Sequence, residues 1–260
     1  LTVAERFDKH VLKNGMVILG EPMEAVESVA FGFMLPAGAA LLPDGCCGAG
    51  SVIADWIFRG AGDKSSRQLG DALDGLGLVR GCSVSSSHIG IGAALEASNL
   101  AEALELYADI ILRPSLQEDQ FELARQLAID GVHSLDDDPR QKVMLKLREQ
   151  FYPSPLGRST VGEIVELEAL TVEKTRQIIN NNFNLSQTIF TVAGKYDFGA
   201  ICRQMENLFG IDRQKLLEPV TLGSKAGRYT HIDDDSAQVH IGLMTGTVKP
   251  TDESYYDARV

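Results

Sequence analysis

Hydrophobic and polar residues alternate near the N-terminus in the pattern of β-strands. Phe7 to Glu21 is predicted to form a hairpin, because the turn pair Asn14-Gly15 separates two apolar runs. Residues 28–35 form a second β-rich run, which ends at Pro36 and a loop rich in Gly and Ala. Further strands are expected over residues 78–84, 87–95 and 188–193.

Between and after these strands, apolar residues recur every three to four positions, which is the period of an amphipathic helix. The clearest stripe lies in residues 46–59 and consists of Ala49, Val52, Ile53, Trp56 and Ile57. More helices are expected near residues 65–76, 100–111, 121–135, 139–151, 172–183 and 201–209. Antiparallel strands and helices in separate runs predict an α+β layer fold rather than a doubly wound one.

A short repeat indicates how the chain is divided. Val239 to Met244 matches Val29 to Met34 position by position at an offset of 210 residues. Chance similarity between two short strands is one explanation, and tandem duplication of a domain is the other. Duplication predicts an N-terminal domain over residues 1–212, a linker over 213–228 and the truncated start of a second homologous domain over 229–260. The strands expected near residues 229–232 and 237–244 would then pair with another chain's edge or stay mobile.

Composition narrows the class of protein. The 260 residues are 44% hydrophobic and include 24 basic and 36 acidic residues, a formal net charge of −12. No basic stripe accompanies this acidic balance, which argues against nucleic acid or an anionic membrane as a partner. No apolar run approaches the roughly 18–20 residues of a membrane span. We expect a soluble protein of the cytoplasm or periplasm, and its four scattered cysteines predict reduced thiols rather than disulfides or a metal knuckle.

Several motifs occur in an order that is typical of one family. They are Trp56 to Ala61, Leu135 to Pro139, Pro155 to Arg158, Thr191 to Gly194 and Gln238 to Ile241. The ordered set resembles the M16 metallopeptidases, the family of insulinase, pitrilysin and mitochondrial processing peptidase. This resemblance implies a LuxS/metallohydrolase-like α/β roll with an antiparallel-rich sheet and helices packed on one face. It also implies zinc as the family cofactor.

The catalytic motif of that family is altered in this chain. Family members carry HxxEH on the first helix, where two histidines bind zinc and the glutamate acts as general base. When the helix is registered on residues 58–60, these three positions hold Ser51, Asp55 and Ala54, and the third zinc ligand falls near Gly131. A hydroxyl, one carboxylate and a glycine do not make a zinc site. We therefore expect no catalytic residue, metal or cofactor, and we expect Ser51 and Asp55 to line a cavity.

Other residues offer weaker candidates. The resemblance makes Arg80, Gly81, Cys82 and Ser83 the candidate substrate-binding residues, since they replace a segment that pairs with substrate peptides in the family. His133 lies near the third-ligand position, although a solvated histidine on a helix surface is the simpler interpretation. The serines before His88 suggest a Ser/His nucleophile, but their alternation fits a strand and a turn. The acidic run at residues 136–138 fits a solvated helix end better than a calcium loop.

Three hypotheses for function follow. The first is a non-catalytic M16 homologue that forms a dimer with an HxxEH-bearing M16 subunit and encloses peptides or unfolded polypeptides, cationic ones being favoured by an acidic wall. The second is a stand-alone peptide-binding or scaffold domain. The third is a zinc peptidase with relocated ligands, in which Asp55 or His133 would bind the metal.

Overall fold

The computed structural model describes residues 7–211, 220–223, 229–233, 237–249 and 251–259. In these residues the strands are β1 (Asp8–Val11), β2 (Val17–Pro22), β3 (Ser28–Leu35), β4 (Gly60–Ala61), β5 (Lys64–Ser65), β6 (Val79–Val84), β7 (Ile89–Glu96) and β8 (Ile189–Gly194). The helices are α1 (Ala49–Trp56), α2 (Ser66–Gly75), α3 (Leu100–Leu112), α4 (Glu118–His133), α5 (Pro139–Phe151), α6 (Ile164–Glu168), α7 (Val172–Asn182) and α8 (Phe198–Phe209). The strands and helices predicted up to residue 209 are all present, with shifted ends. The predicted linker lies mostly outside the described residues.

Six strands form one sheet in the order β1-β2-β8-β3-β7-β6. Neighbouring strands run antiparallel, except for the parallel pair β2 and β8. Successive side chains of a strand point to opposite faces, and in β3 the burial alternates accordingly. Val29, Phe31 and Phe33 lie on the buried face, whereas Ala30 and Met34 lie on the open face. The predicted α+β fold with an antiparallel-rich sheet is confirmed.

Aromatic side chains fill the space between the buried face of the sheet and the helices. Phe31 lies edge-on to Tyr107 of α3 with ring centroids 4.8 Å apart, and Phe33 lies 4.9 Å from Phe190 of β8. The Tyr107 hydroxyl donates a hydrogen bond to the carbonyl oxygen of Gly92 at 3.0 Å. This bond satisfies a polar group within an apolar core and ties α3 to the centre of β7.

Helix α1 is shorter than the sequence pattern predicts. It starts at Ala49 because Gly48 has a left-handed φ of 96°, a conformation that glycine adopts without strain. A Cβ atom on Gly48 would lie 2.8 Å from the Cα atom of Gly162, so the segment after α5 presses directly on the start of α1. The helix ends at Trp56, and a turn then leads to Gly60, where φ is again positive at 122°.

The second copy of the repeat is not folded like the first. Residues 229–233 and 237–249 form no strand, so the strands predicted there are not formed. Val239, Ile241 and Leu243 are 88%, 83% and 92% exposed, whereas their counterparts in β3 are 2%, 5% and 0% exposed. Duplication, which would make residues 229–260 the start of a second domain, stays a prediction. No helix in the described part of the chain is long and apolar enough to cross a membrane.

Candidate functional site

Ser51, the first of the altered motif positions, is covered by the segment that follows α5. Its hydroxyl lies 3.2 Å from the carbonyl oxygen of Thr160 and 3.5 Å from that of Val161, to which it can donate. Ser51 is half-buried, and the expectation that it lines a cavity stays a prediction. Backbone carbonyls of a loop pack against this face of α1, and the hydroxyl can donate to one of them.

Asp55 and Ala54 are also engaged locally. The Asp55 carboxylate forms an ion pair with Arg59, one helical turn further on, and both side chains are partly buried. The carbonyl oxygen of Ala54 lies 3.8 Å from the thiol of Cys82 in β6. The carboxylate at the predicted second ligand position is thus neutralised by a guanidinium, and the predicted position of the general base carries a methyl group that cannot move a proton.

Gly131, at the predicted third ligand position, is the last residue to compare with what a zinc site requires. Gly131 lies in the last turn of α4, and a Cβ atom there would meet no atom within 4 Å. His133 is exposed at the last residue of this helix. Among the described residues, no three His, Cys, Asp or Glu side chains come together in a cluster that could hold a metal ion. The donor set present does not fit the family metal.

The four candidate substrate-binding residues lie on β6, at one edge of the sheet. β6 pairs only with β7 among the described strands, so its outer backbone groups are open to another strand. Cys82 is on the side of α1, and Arg80 forms an ion pair with Asp74 of α2 at 2.9 Å. Gly81 and Ser83 are on the open face of the sheet.

On that face lies an apolar trough of about 440 Å³, which we call the open-face trough. Its lining includes Ala30, Gly32 and Met34 of β3, Val79, Gly81 and Ser83 of β6, and Gly90 and Gly92 of β7. Gly81 lies opposite Gly92, which in turn lies opposite Gly32. Three adjacent strands therefore have no side chain in the middle of the trough, and the trough reaches the free edge of β6.

The two edges of the sheet, β1 and β6 among the described strands, differ in character. β1, at the far edge, is short and contains the charged residues Asp8 and Lys9 beside His10. Charged residues and short length are the usual means by which proteins discourage pairing at an edge. β6 is longer, and its central residues Gly81, Cys82 and Ser83 are small. Of the two edges, β6 is the one suited to receive an extended chain.

Residues 85–88, which connect β6 and β7, are held in place from two sides. The backbone N–H groups of residues 38–40 donate to the carbonyls of Ser85, Ser86 and Ser87. Arg148 of α5 donates to the Ser86 hydroxyl at 2.9 Å, and Arg158 donates to the carbonyl oxygen of Leu42 at 2.6 Å. These contacts fix the end of the edge strand. The hairpin confirms the strand and turn interpretation of this serine run, and burial lowers the pKa of His88.

The acidic run before α5 has a structural role. Asp138 is the N-cap of α5 and accepts a hydrogen bond from the backbone N–H of Gln141 at 3.0 Å. Asp136 forms an ion pair with Lys142 at 2.8 Å. The interpretation of this run as a helix end rather than a calcium loop is consistent with these contacts.

The sequence match decides the family. The family model described as Insulinase (Peptidase family M16) matches residues 18–163. The chain belongs to peptidase family M16. An uncharacterized zinc protease of Streptomyces coelicolor is 23% identical over 252 residues, which cover 93% of this chain and 55% of that protein. The chain thus spans about half the length of the curated relatives that it matches.

Solved structures of M16 proteins share the fold. A protease from Helicobacter pylori matches with a TM-score of 0.76 at 16% identity, over 84% of this chain and 54% of that one. A structure described as a peptidase M16 inactive domain, from Pseudomonas fluorescens, matches with a TM-score of 0.74 at 12% identity, over 83% of this chain and 53% of that one. At this level of identity the likeness establishes the M16 fold alone.

Several residues around the altered M16 positions were not anticipated from the sequence. The spacing of Asp55 and Arg59 is that of a helical ion pair and could have indicated their contact. The contact between Cys82 and Ala54 joins a strand to a helix and has no local signature. The carbonyls of Thr160 and Val161 are backbone groups, which any residue type supplies, so no sequence pattern could have identified them.

The thiol of Cys82, beside this site, is expected to react slowly. Burial raises the pKa of Cys82 from 9.0 to about 11, with the Asp55 carboxylate adding to the rise. A thiol with a raised pKa has less thiolate at pH 8, but each thiolate is more nucleophilic, so iodoacetamide should alkylate the exposed Cys82 about tenfold more slowly than a peptide cysteine. Mass spectrometry of time points measures this rate. Asp55→Asn removes the neighbouring negative charge and should accelerate labelling, whereas a wild-type rate equal to that of the peptide contradicts the prediction.

Proposed function

We propose that this chain is a non-catalytic M16 homologue that pairs with a zinc-bearing M16 subunit to form a peptide-processing chamber. The strongest support is that the residues at the predicted ligand and general-base positions offer no set of zinc ligands. Ser51 hydrogen-bonds loop carbonyls, Asp55 pairs with Arg59, and Gly131 has no ligand atom. Zinc and proton transfer would have to come from the partner subunit.

The contribution of this chain to such a chamber is peptide binding. An extended peptide can add to the free edge of β6, because the backbone groups of an edge strand offer hydrogen bonds to any sequence. The contacts of Arg148 with Ser86 and of Arg158 with Leu42 hold the loops beside that edge. Because these loops are already ordered, less conformational entropy is lost when a peptide binds to the β6 edge. This supports a role in peptide binding that needs no catalytic residue of this chain.

Purification of the native protein with its associated chains tests the pairing. The proposal expects an HxxEH-bearing M16 protein to copurify and the complex to hydrolyse peptides. Replacing Asp55 by Asn in this chain should leave that hydrolysis unchanged, whereas replacing the motif glutamate of the partner by Gln should abolish it. A full-length protein that is monomeric and has no such partner would instead support a stand-alone binding domain. Loss of hydrolysis on Asp55→Asn would support relocated zinc ligands.

A further inference from the structure

A pocket more enclosed than the open-face trough lies where the C-terminal ends of α3 and α7 meet. It has a volume of about 360 Å³ and shares no lining residue with the trough. Residues 113–116 and 183–184, which follow these two helices, complete its lining, apart from Ser115. Its most buried lining residues, Ile111, Ile179 and Asn184, form what we call the inner wall. The volume is at the lower end of the roughly 300–1,000 Å³ of small-molecule pockets.

The inner wall contains an amide group that lacks a hydrogen-bond partner. Asn184 is 4% exposed, and its Oδ1 atom accepts from the backbone N–H of Ser186 at 3.1 Å and from the Ser186 hydroxyl at 2.9 Å. These bonds fix the amide, and its buried Nδ2 atom has no partner among the described residues. The other two asparagines that are buried in this part of the chain, Asn14 and Asn182, donate from Nδ2 to backbone carbonyls. Because native proteins rarely leave a buried donor unpaired, Asn184 points to an acceptor atom supplied through the pocket.

Nearer the mouth, the pocket is apolar and its backbone is held in place. Leu116 and Phe183 are partly exposed there. Among the described residues, Leu116 is the one residue other than glycine with a positive φ, at 47°. Its carbonyl oxygen accepts a hydrogen bond from Arg176 at 2.8 Å, which holds this strained conformation. The apolar part of the pocket is therefore formed before a ligand binds.

A cationic side chain lies at the mouth. Arg113 lines the pocket, and its side chain is 70% exposed. Its Nε and Nη2 atoms donate to one carboxylate oxygen of Asp109, one helical turn earlier. A guanidinium has five N–H donors in a planar fork that matches a carboxylate, so further donors can bind a ligand.

From this arrangement we infer that the pocket binds a small oxo-carboxylate, a compound with an apolar body, a carboxylate at one end and a carbonyl oxygen at the other. The carboxylate pairs with Arg113 at the mouth, and the apolar body packs on Leu116 and Phe183. The carbonyl oxygen accepts from Nδ2 of Asn184. A ligand without the carbonyl would leave this buried donor unpaired, and an amine would meet a like charge at the mouth. This site does not depend on pairing with another M16 subunit.

Calorimetric titration of the purified protein with three probes of matched shape tests this inference. The probes are para-acetylbenzoate, para-ethylbenzoate, which lacks the carbonyl oxygen, and para-acetylbenzamide, which lacks the charge. We expect para-acetylbenzoate to bind about tenfold more tightly than either of the others, because each of them loses a hydrogen bond to a buried or charged group.

Two variants assign the two preferences to their residues. Arg113→Gln should abolish the preference for the benzoate over the benzamide and keep the preference for acetyl over ethyl. Asn184→Asp retains the Oδ1 acceptor for Ser186 but replaces the Nδ2 donor by an oxygen, so it should abolish the preference for acetyl. Arg67→Gln is the matched control, since Arg67 is an exposed arginine that also pairs with an aspartate one helical turn away and lies outside the pocket. It should change neither preference.

The inference is overturned if no probe binds, or if the preference for acetyl is absent or survives in Asn184→Asp. Should that variant fail to fold, NMR of the wild-type protein gives the same decision. The side-chain amide protons of Asn184 should shift with para-acetylbenzoate and not with para-ethylbenzoate, and equal shifts would overturn the inference. None of these results bears on copurification with a zinc-bearing subunit, so the proposed function is tested separately.

Discussion

Replacing Trp56 by Ala is expected to lower the free energy of unfolding by about 3–5 kcal/mol, the usual cost of removing a buried Trp side chain from a packed core. The Trp56 side chain is fully buried, and its ring centroid lies 4.9 Å from that of Phe121 in α4. Its indole N–H donates to the carbonyl oxygen of Gln117 at 2.9 Å, just before α4 begins. Urea unfolding followed by circular dichroism measures the change.

Two further variants separate the contribution of ring packing from that of the indole hydrogen bond and from the effect of a substitution at an exposed residue. Trp56→Phe keeps an aromatic ring but leaves the Gln117 carbonyl without its donor, and should cost less than Trp56→Ala. Val79→Ala, at an exposed residue, should change stability by less than about 0.5 kcal/mol. A loss of less than about 1 kcal/mol for Trp56→Ala would contradict the packing described for α1 and α4. This packing brings α1, which carries the predicted motif positions, against α4.

Gly92→Ala is also expected to be damaging, with a loss of about 3 kcal/mol, the upper end of the usual cost of overpacking. A Cβ atom at residue 92 would lie 2.2 Å from the carbonyl oxygen of Phe31 and 2.9 Å from the Cα atom of Gly32. Both atoms belong to the backbone of β3, so the strands would have to move apart. Thermal unfolding measures the loss.

The neighbouring glycine provides the matched control. Gly81→Ala adds the same methyl group in the same row of the sheet, but into space with no atom within 4 Å. Its stability should match the wild type or exceed it slightly, since alanine loses less conformational entropy than glycine on folding. Equal losses in the two variants would show that the close approach of β3 and β7 is not as described.

Much of the fold could be predicted because local patterns and tertiary packing agree. In β3 the alternation of Val29, Phe31 and Phe33 with smaller residues corresponds to the two faces of the sheet. The short elements β4, β5 and α6 are not predictable from the sequence, since two to five residues are too few to show a period. The helix α1 starts later than the pattern predicts, because Gly48 has a left-handed backbone conformation and lies in close contact with Gly162.

The site could be predicted only in part. The residue types at the predicted motif positions are visible in the sequence, and they predict that the family's ligand set is missing. Their surroundings are not visible: the cover over Ser51 and the contact of Cys82 with Ala54 arise from segments far apart in the chain. The open-face trough depends on the register that places Gly32, Gly92 and Gly81 side by side, which the sequence does not specify.

The central claim is that this chain of the M16 family has no zinc site of its own. Its most direct test is the zinc content of the protein, purified without chelators, incubated with zinc and dialysed, then measured by plasma mass spectrometry. The account predicts far less than stoichiometric zinc, with no change in Asp55→Ala or His133→Ala. Stoichiometric zinc that is lost in either variant would contradict the account and make the chain a metallopeptidase with relocated ligands.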